Sequence, residues 1–258
     1  MGKSYKGAIS FGLIYIPISL YNAVRSNTIN FNLIDKKTMS KIHYVKTCAN
    51  CDGKEVDKDD IVKGFEYEDN KYVIFDNEDF EKIKSKKDKT IVIEEFVNLS
   101  DIDPIYYDKP YYVVPEKGAE KPFELLKKAM EKTKKVGIAK TVLGTKDTLI
   151  ALRVKDGIMY LNTMNFHEEI VEAPYVSENV KTNKQELDLA IALLNSMTRK
   201  FRPEEFIDEY RRKVMSAIEA KIAGQEILVR DDEDLNPALD LMTALEESLE
   251  RVRERPQA

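Results

Sequence analysis

Residues 147–166, DTLIALRVKDGIMYLNTMNF, are the stretch of sequence that most clearly decides the fold. Two runs rich in β-branched and large apolar residues, 147–154 and 158–166, flank the pair Asp156-Gly157. An Asp-Gly pair between two such runs favours the type I′ turn of a two-residue β-hairpin. The sequence therefore predicts a pair of antiparallel strands here.

Further strand patterns lie upstream of this hairpin. Segment 8–21 is long and apolar, with Gly12 and Pro17 indicating bends or a sheet edge. Segment 29–34 alternates apolar and polar residues, as a half-buried strand does, and 42–47 is its predicted partner. The remaining strand predictions are a hairpin around Asp69-Asn70, joining GFEY to KYVIF, and the segments 90–97 and 105–114.

Helical patterns are sparse in the first 180 residues and dominate afterwards. One helix is predicted at 122–134, and three more at 184–200, at 203–224 and at 237–253, the last capped by Asn236. The apolar stripe of the helix at 184–200 consists of Leu187, Ile191, Leu194 and Met197. The helix at 203–224 has a stripe that we expect to be buried, formed by Phe206, Tyr210, Val214 and Ile218. We expect a β-rich body at 1–180, a helical arm at 181–224, an acidic linker at 225–235 and a terminal helical module at 236–258.

Charge is distributed unevenly along the 258 residues. The chain has 41 Lys plus Arg against 46 Asp plus Glu, a net charge of −5, and its 43% hydrophobic content is enough for a folded core. Residues 1–47 nevertheless carry a net charge of +6 and residues 121–155 a net charge of +7, which leaves −18 elsewhere. Such asymmetry is typical of a protein that presents one surface to a polyanion, although chance clustering of solvated lysines gives the same pattern.

Motifs of catalysis and of membrane insertion are not found in the sequence. It has no phosphate-binding Gly-rich loop, no Gly-x-Ser-x-Gly and no His-Glu-x-x-His. His167-Glu168-Glu169 follows the 147–166 hairpin, and we interpret it as a polar corner, not as an acid/base or metal cluster. No apolar run reaches the ~18 residues of a membrane helix, and no export signal is visible. We expect a cytoplasmic protein without enzymatic activity, cofactor or membrane partner.

Cys48-Ala49-Asn50-Cys51 is a CxxC pair, with His43 five residues before it. A tetrahedral zinc site needs four ligands, of which such a pair supplies two, and the chain has no second pair. Three interpretations are open: two buried thiols, a degenerate zinc knuckle, or a zinc site shared across a dimer. We favour the buried thiols and predict no metal.

The last predicted helix, 237–253, is amphipathic. Its apolar face can pack back on the body of the protein, or it can dock into a groove of a partner. In the second case the contacting residues would be Leu241, Met242, Leu245 and Leu249.

Motifs spread over nearly the whole chain, and in the same order, are similar to those of prokaryotic Ku, the end-binding protein of bacterial non-homologous end joining. The matching pieces near the start are KGAISFGL at 6–13, Cys48 ahead of DGKEV at 52–56, and IVKGFEY at 61–67. Later pieces are EEFV at 94–97, IDPIYY at 102–107, KPYY at 109–112, VGIAK at 136–140, LIALR at 149–153, DEYR at 208–211 and DLMTAL at 240–245.

The resemblance implies a mixed β/α protein with a β-barrel core, a bridging arm and a C-terminal helical arm. It also implies a homodimer that closes a ring around double-stranded DNA, with the helical arm at 184–224 across the dimer interface. Such a protein performs no catalysis but recruits an ATP-dependent end-joining DNA ligase, to which the terminal helix contributes.

A ring that holds DNA without reading its sequence needs cations along the channel. We assign that role as a group to eight basic residues of the two positive stretches and expect about half of the eight to touch phosphates. The eight residues are Lys6, Lys36, Lys37, Lys41, Lys46, Lys140, Lys146 and Arg153. The alternative functions are a zinc-knuckle regulator that binds nucleic acid and a structural homodimeric adaptor.

Overall fold

The computed structural model describes residues 3–83, 90–143, 146–174, 182–226 and 241–254. The chain divides into two compact units, Met1–Glu172 and Ala173–Ala258. The predicted division between residues 180 and 181 lies outside the described residues, as do Asn236 and most of the predicted acidic linker.

A closed barrel of seven strands forms the centre of the first unit. The strands are β1 (Lys3–Phe11), β2 (Ile14–Asn22), β5 (Thr90–Asn98), β6 (Tyr107–Pro115), β7 (Lys135–Leu143), β8 (Lys146–Lys155) and β9 (Ile158–Met164). Around the barrel they follow the order β1-β2-β6-β9-β8-β7-β5. All neighbours are antiparallel except β1 and β5, whose parallel pairing closes the barrel. The barrel core that the resemblance implies is confirmed.

The hairpin predicted at 147–166 is strands β8 and β9, which pair from Lys155↔Ile158 to Leu149↔Met164. Asp156 and Gly157 both have positive φ, 52° and 73°, as a type I′ turn requires. Local turn chemistry therefore fixes the register of this pair.

Alternate residues of the strands point into the barrel and fill it with aliphatic side chains. The largest fully buried ones are Ile9, Ile16, Ile18, Leu20, Ile91, Ile150, Leu152, Met159 and Leu161. Helix α2 (Glu120–Thr133) adds Phe123, Leu126 and Met130 to the same core. Burying each such side chain stabilises the fold by about 1.5–3 kcal/mol before the entropy of ordering is counted.

Three strand predictions in this unit differ from the structure. Segment 8–21 is not one strand, because the chain reverses at Gly12, which has a φ of 55°, and forms the β1–β2 hairpin. Segments 29–34 and 42–47 are not strands. The Ile42 amide donates to the Leu33 carbonyl at 3.0 Å beside the isolated bridge Ile34↔Lys41, and no core forms beneath these segments.

The chain between β2 and β5 forms an extension of the barrel unit, which we call the arm (residues 23–83). It contains the hairpin predicted around Asp69-Asn70, strands β3 (Lys63–Glu68) and β4 (Lys71–Phe75), and helix α1 (Asn77–Ile83). None of its described side chains is buried. Its exposed apolar side chains include Phe31, Leu33, Tyr44, Phe65 and Ile74.

The second unit contains three described helices: α3 (Lys184–Met197), α4 (Glu209–Ile222) and α5 (Leu241–Glu254). Helix α3 begins where it was predicted, because the Asn183 side chain accepts a hydrogen bond from the Gln185 amide. Helices α3 and α5 pack against each other. None of the described helices is both long and apolar enough to cross a membrane.

The helix predicted at 203–224 begins later than predicted, and part of its apolar stripe is exposed instead of buried. Residues Pro203–Glu205 form a separate short turn, and Asp208 caps α4 by accepting from the Arg211 amide at 2.8 Å. The expected buried stripe is only half-buried at Val214 and Ile218, and Phe206 and Tyr210 are exposed. The stripe lacks cover within the described part of the single chain.

Candidate nucleic-acid interface

Lysines 36, 37 and 41 lie on an ordered loop of the arm, which we call the basic loop (residues 34–41). The Asp35 amide donates to the Ser40 carbonyl at 2.9 Å, and the Met39 amide donates to the Asp35 carbonyl at 2.8 Å. The Asp35 carboxylate also accepts from the Thr38 amide at 2.9 Å and from the Thr38 hydroxyl at 2.7 Å. Four hydrogen bonds thus hold a turn that carries Lys36 and Lys37.

The electrostatics of the basic loop favour an anion. The hydroxyl and amide of Thr38 lower the pKa of Asp35, so this carboxylate is satisfied within the loop. The side chains of Lys36, Lys37, Lys41 and Lys46 are exposed, and none forms an ion pair with another residue that the structure describes. Their positive charge is available to a ligand.

The arm itself is electrically asymmetric. Residues 24–46 contain five basic residues and one acidic residue, whereas residues 52–81 contain four basic and twelve acidic residues. The first part of the arm therefore attracts a polyanion, and the second part repels one.

The three lysines predicted on the barrel are already paired with carboxylates. Lys6 lies 3.6 Å from Glu116, Lys140 lies 3.4 Å from Glu94, and Lys146 lies 2.6 Å from Glu169. The hydrogen bond and charge of Glu169 raise the pKa of Lys146, and the hydrogen bond of Lys146 lowers the pKa of Glu169. Exposed pairs of this kind contribute about 0–1 kcal/mol and can be broken by a competing phosphate.

Arg153 is held in place by the barrel wall. Its Nε donates to Asn162 Oδ1 at 3.0 Å, and its guanidinium lies 4.7 Å from the centre of the Tyr160 ring. The Tyr160 ring in turn lies 5.4 Å from the ring of Tyr112. The strand register brings these residues side by side, and sequence reasoning missed Asn162, Tyr160 and Tyr112 because it could not fix that register.

The predicted cations therefore do not form one surface on the barrel. Lys146 and Arg153 lie at opposite ends of β8, about 23 Å apart at ~3.3 Å per residue. Being seven positions apart, they also point to opposite sides of the strand. The basic loop, by contrast, brings Lys36, Lys37 and Lys41 together on one short turn.

A cleft of about 170 Å³ opens at the end of β8, beside Lys146. Its charged lining consists of two lysines, Lys109 and Lys146, against Asp108, Asp147 and Glu169. Because acidic residues outnumber basic ones in its lining, the cleft is not a preformed phosphate site. His167 to Glu169 form a short 3-10 turn next to it, where the Tyr106 hydroxyl contacts His167 Nδ1 at 3.2 Å, which agrees with the predicted polar corner.

The cysteine pair lies on the arm, and the prediction of two buried thiols is wrong. Cys48 is half-buried and Cys51 is exposed, because no core forms beneath this part of the chain. The thiol of Cys51 and the Asn50 amide donate hydrogen bonds to Cys48 and lower its pKa, whereas the contact with Cys48 raises the pKa of Cys51. Among the described residues, no group of three or more His, Cys, Asp or Glu side chains is placed to bind a metal.

The predicted partner-binding residues lie on α5. Met242, Leu245 and Leu249 are half-buried and recur at helical spacing, as expected for the face that packs against α3. The side chain of Leu241 lies outside the described residues. A partner that docks on these residues must therefore compete with α3 or bind at the margin of the α3–α5 contact.

Comparison with known proteins agrees with this architecture. The family model of the Ku70/Ku80 beta-barrel domain matches residues 10–189. The chain is 44% identical to the non-homologous end joining protein Ku of Lachnoclostridium phytofermentans, over 97% of both chains. It is 41% identical to the non-homologous end joining protein Ku of Archaeoglobus fulgidus, over 98% of this chain and 100% of the relative. It is 35% identical to the non-homologous end joining protein Ku of Bacillus subtilis, over 98% of this chain and 83% of the relative.

The match covers the arm and the barrel except for most of β1, and the relatives extend the similarity through the helical unit. On the strength of the shared barrel and of this near full-length similarity, the chain belongs to the Ku family of non-homologous end joining proteins.

Proposed function

We propose that this protein binds the ends of double-stranded DNA in non-homologous end joining, as a ring-shaped homodimer, and that it recruits an ATP-dependent DNA ligase to the break. Its relatives are named as non-homologous end joining proteins. The protein acts by binding, without catalysis of its own, on broken DNA in the cytoplasm. The observation that carries the proposal is the basic loop, whose exposed lysines form no ion pair with any other residue that the structure describes.

Binding without sequence preference requires contacts to phosphates and not to base edges. The lysines of the basic loop suit this role, because a lysine ammonium binds phosphate as a point charge without demanding one geometry. The loop is ordered by its own hydrogen bonds before any ligand arrives, which lowers the entropy lost on binding. Lys6, Lys140 and Lys146 act as a second set whose carboxylate partners must give way to phosphate.

The homodimer is supported by apolar surface that the described part of the single chain leaves uncovered. Phe31, Tyr44 and Phe65 on the arm are between 66% and 83% exposed. On α3, one face packs against α5 while Leu187, Ile191 and Leu194 on another face are 46–66% exposed. Monomeric proteins rarely expose so many large apolar side chains, and a twofold dimer covers each patch with a second copy of the same chain.

A closed ring explains selectivity for ends without any chemistry at the ends. Duplex DNA can enter such a ring only where it is broken, so a linear molecule binds and a closed circle does not. The first 47 residues, positively charged, would line the channel, and the acidic second part of the arm would face outwards.

The decisive experiment compares two forms of one DNA. A linear duplex and a covalently closed circle of equal length and sequence are titrated with the protein in gel-shift assays, at several salt concentrations. We expect binding to the linear form and little to the circle, with restored binding after a single cut of the circle. Equal affinity for both forms would contradict the ring.

The same assay separates the two alternative functions predicted from the sequence. A zinc-knuckle regulator would give a sequence-specific footprint on either form of the DNA. A structural adaptor would bind neither form.

Ligase recruitment is assigned to α5, in keeping with the predicted docking residues Leu241, Met242, Leu245 and Leu249. Apolar residues at this spacing fit a groove of a partner. The α3–α5 contact is small enough to be exchanged, because the α5 residues in it remain only half-buried.

A further inference from the structure

The CxxC pair is presented by a second ordered loop of the arm, which we call the cysteine loop (residues 47–55). Thr47 and Glu55 form its base as an isolated antiparallel bridge, and the Lys54 amide donates to the Cys51 carbonyl at 2.9 Å. Asp52 and Gly53 reverse the chain with positive φ values of 48° and 77°. The loop is therefore a tight hairpin, not an irregular excursion.

The hydrogen bonds of this hairpin bring the two cysteines together. The Cys51 amide donates to the Cys48 carbonyl at 3.3 Å, and the Cys48 amide donates to the Lys54 carbonyl at 3.4 Å. The two thiols contact each other. A CxxC turn that brings two thiols together is the arrangement that supplies half of a tetrahedral zinc site.

The other half cannot come from this chain as the structure describes it. The sequence has two cysteines in all, and the described residues offer no third metal ligand beside them. Cys51 is exposed, so a second molecule can reach the pair. The arm that carries the loop also exposes the apolar side chains through which two copies would meet. A twofold dimer contains four such cysteines, and the two pairs share one metal ion if the cysteine loops lie next to the twofold axis.

We propose that Cys48 and Cys51 form half of a structural zinc site that the same two cysteines of a second copy complete. Zinc binding replaces the four thiol protons, which pass to the solvent, and involves no change of oxidation state. The site would tie the two arms together across the ring. The inference rests on the homodimer of the proposed function.

The stoichiometry of zinc tests the inference directly. The full-length protein, kept reduced, is saturated with zinc chloride, dialysed against metal-free buffer and examined by elemental analysis and native mass spectrometry. We expect one zinc per dimer, seen as a dimer mass that carries one metal ion. One zinc per chain, no retained zinc, or zinc on a monomer would overturn the shared site.

Two variants locate the site. Cys48→Ser should abolish zinc retention, whereas His43→Ala, which changes the nearest histidine in the sequence, should retain one zinc per dimer. Cobalt in place of zinc should give the intense visible absorption of tetrahedral thiolate coordination in the parent and in His43→Ala. Retention of zinc by Cys48→Ser, or its loss from His43→Ala, would contradict a site made of four thiolates.

Loss of the shared zinc ion should weaken the dimer. In sedimentation experiments, Cys48→Ser should raise the dissociation constant of the dimer by about tenfold or more relative to the zinc-loaded parent. If the zinc-free protein prefers linear DNA and its dimer is as tight as that of the zinc-loaded parent, the proposed function stands and the zinc inference fails. If one zinc is bound per dimer but linear and circular DNA bind equally, the ring fails and the zinc site stands.

Discussion

Replacement of Lys37 and Lys41 by glutamine removes two cations from the basic loop while keeping side chains of similar length. Both lysines are exposed and lack ion-pair partners among the described residues, so the change should alter the free energy of unfolding by no more than about 0.5 kcal/mol. Its effect on DNA affinity should therefore come from lost phosphate contacts alone.

The magnitude follows from counterion release. Each phosphate that a cation neutralises contributes about 0.9 to the slope of log affinity against log salt. In a dimer the double substitution removes four cations, so the slope should flatten by about 2 if half of them contact phosphates and by nearly 4 if all do. If the two proteins bind equally near 1 M salt, this difference predicts a loss of about 10²- to 10⁴-fold in affinity near 0.1 M salt.

The assay is fluorescence anisotropy of a labelled linear duplex, titrated at four or more salt concentrations. The matched control is Lys71→Gln with Lys82→Gln, which removes the same charge from the same arm. These two lysines are paired with Glu68 and with Asp79, the latter at 3.6 Å, so their charge is already compensated. The control should leave the slope unchanged.

Two results would refute the reasoning. An unchanged slope in the Lys37/Lys41 variant would show that the basic loop does not touch DNA. Equal flattening in the control would show that net charge, and not contact, determines the slope. The loss of affinity in the Lys37/Lys41 variant should also be equal for DNA duplexes of unrelated sequence, because phosphate contacts carry no sequence information.

Other variants probe the barrel and α5. Arg153→Ala removes the stacking on Tyr160 and a hydrogen bond to Asn162, so urea unfolding should show a free energy of unfolding lower by about 1–3 kcal/mol. The slope of log DNA affinity against log salt should stay unchanged, and a flatter slope would place Arg153 at the DNA. Gly137→Ala brings a methyl group to 3.3 Å from the Phe96 ring and should lower the free energy of unfolding by about 1–3 kcal/mol; unchanged stability would mean that the ring moves freely. Deletion of residues 236–258 should preserve DNA affinity and abolish ligase stimulation in an end-joining assay; lost DNA binding would instead make α5 structural.

The parts of the fold that could be predicted are those that local chemistry determines. The Asp156-Gly157 turn fixes β8 and β9, and the Asn183 cap fixes the start of α3. Strand β7 was not predicted, because Lys135, Gly137 and Lys140 interrupt its apolar pattern and its place depends on pairing with β5. The false strand at 29–34 had the right alternation, but an alternating segment becomes a strand only where a partner and a core exist.

In the candidate site, too, features set by neighbouring residues could be predicted, whereas those that depend on contacts between distant parts of the chain could not. Counting charge by segment was sufficient to find the basic loop, because its lysines are neighbours in sequence. The ion pairs of Lys6 with Glu116 and of Lys140 with Glu94 join residues that are far apart along the chain, so only the closed barrel reveals them. The exposure of Cys51 was unpredictable for a related reason, since CxxC motifs occur both in cores and on surface loops.

The pairing of the first strands with later ones has a consequence for how the protein is made. Strand β2 pairs with β6, which pairs with β9, so the barrel cannot close until the ribosome has passed Met164. At about 5–20 residues per second, the roughly 140 residues after Asn22 take about 7–30 s to synthesise. During that interval the nascent chain carries the β1–β2 hairpin and, once residue 83 has been added, the whole arm without a barrel to support them. The acidic residues at 52–81 carry like charge on every copy, so during synthesis they would repel the same segment of neighbouring nascent chains.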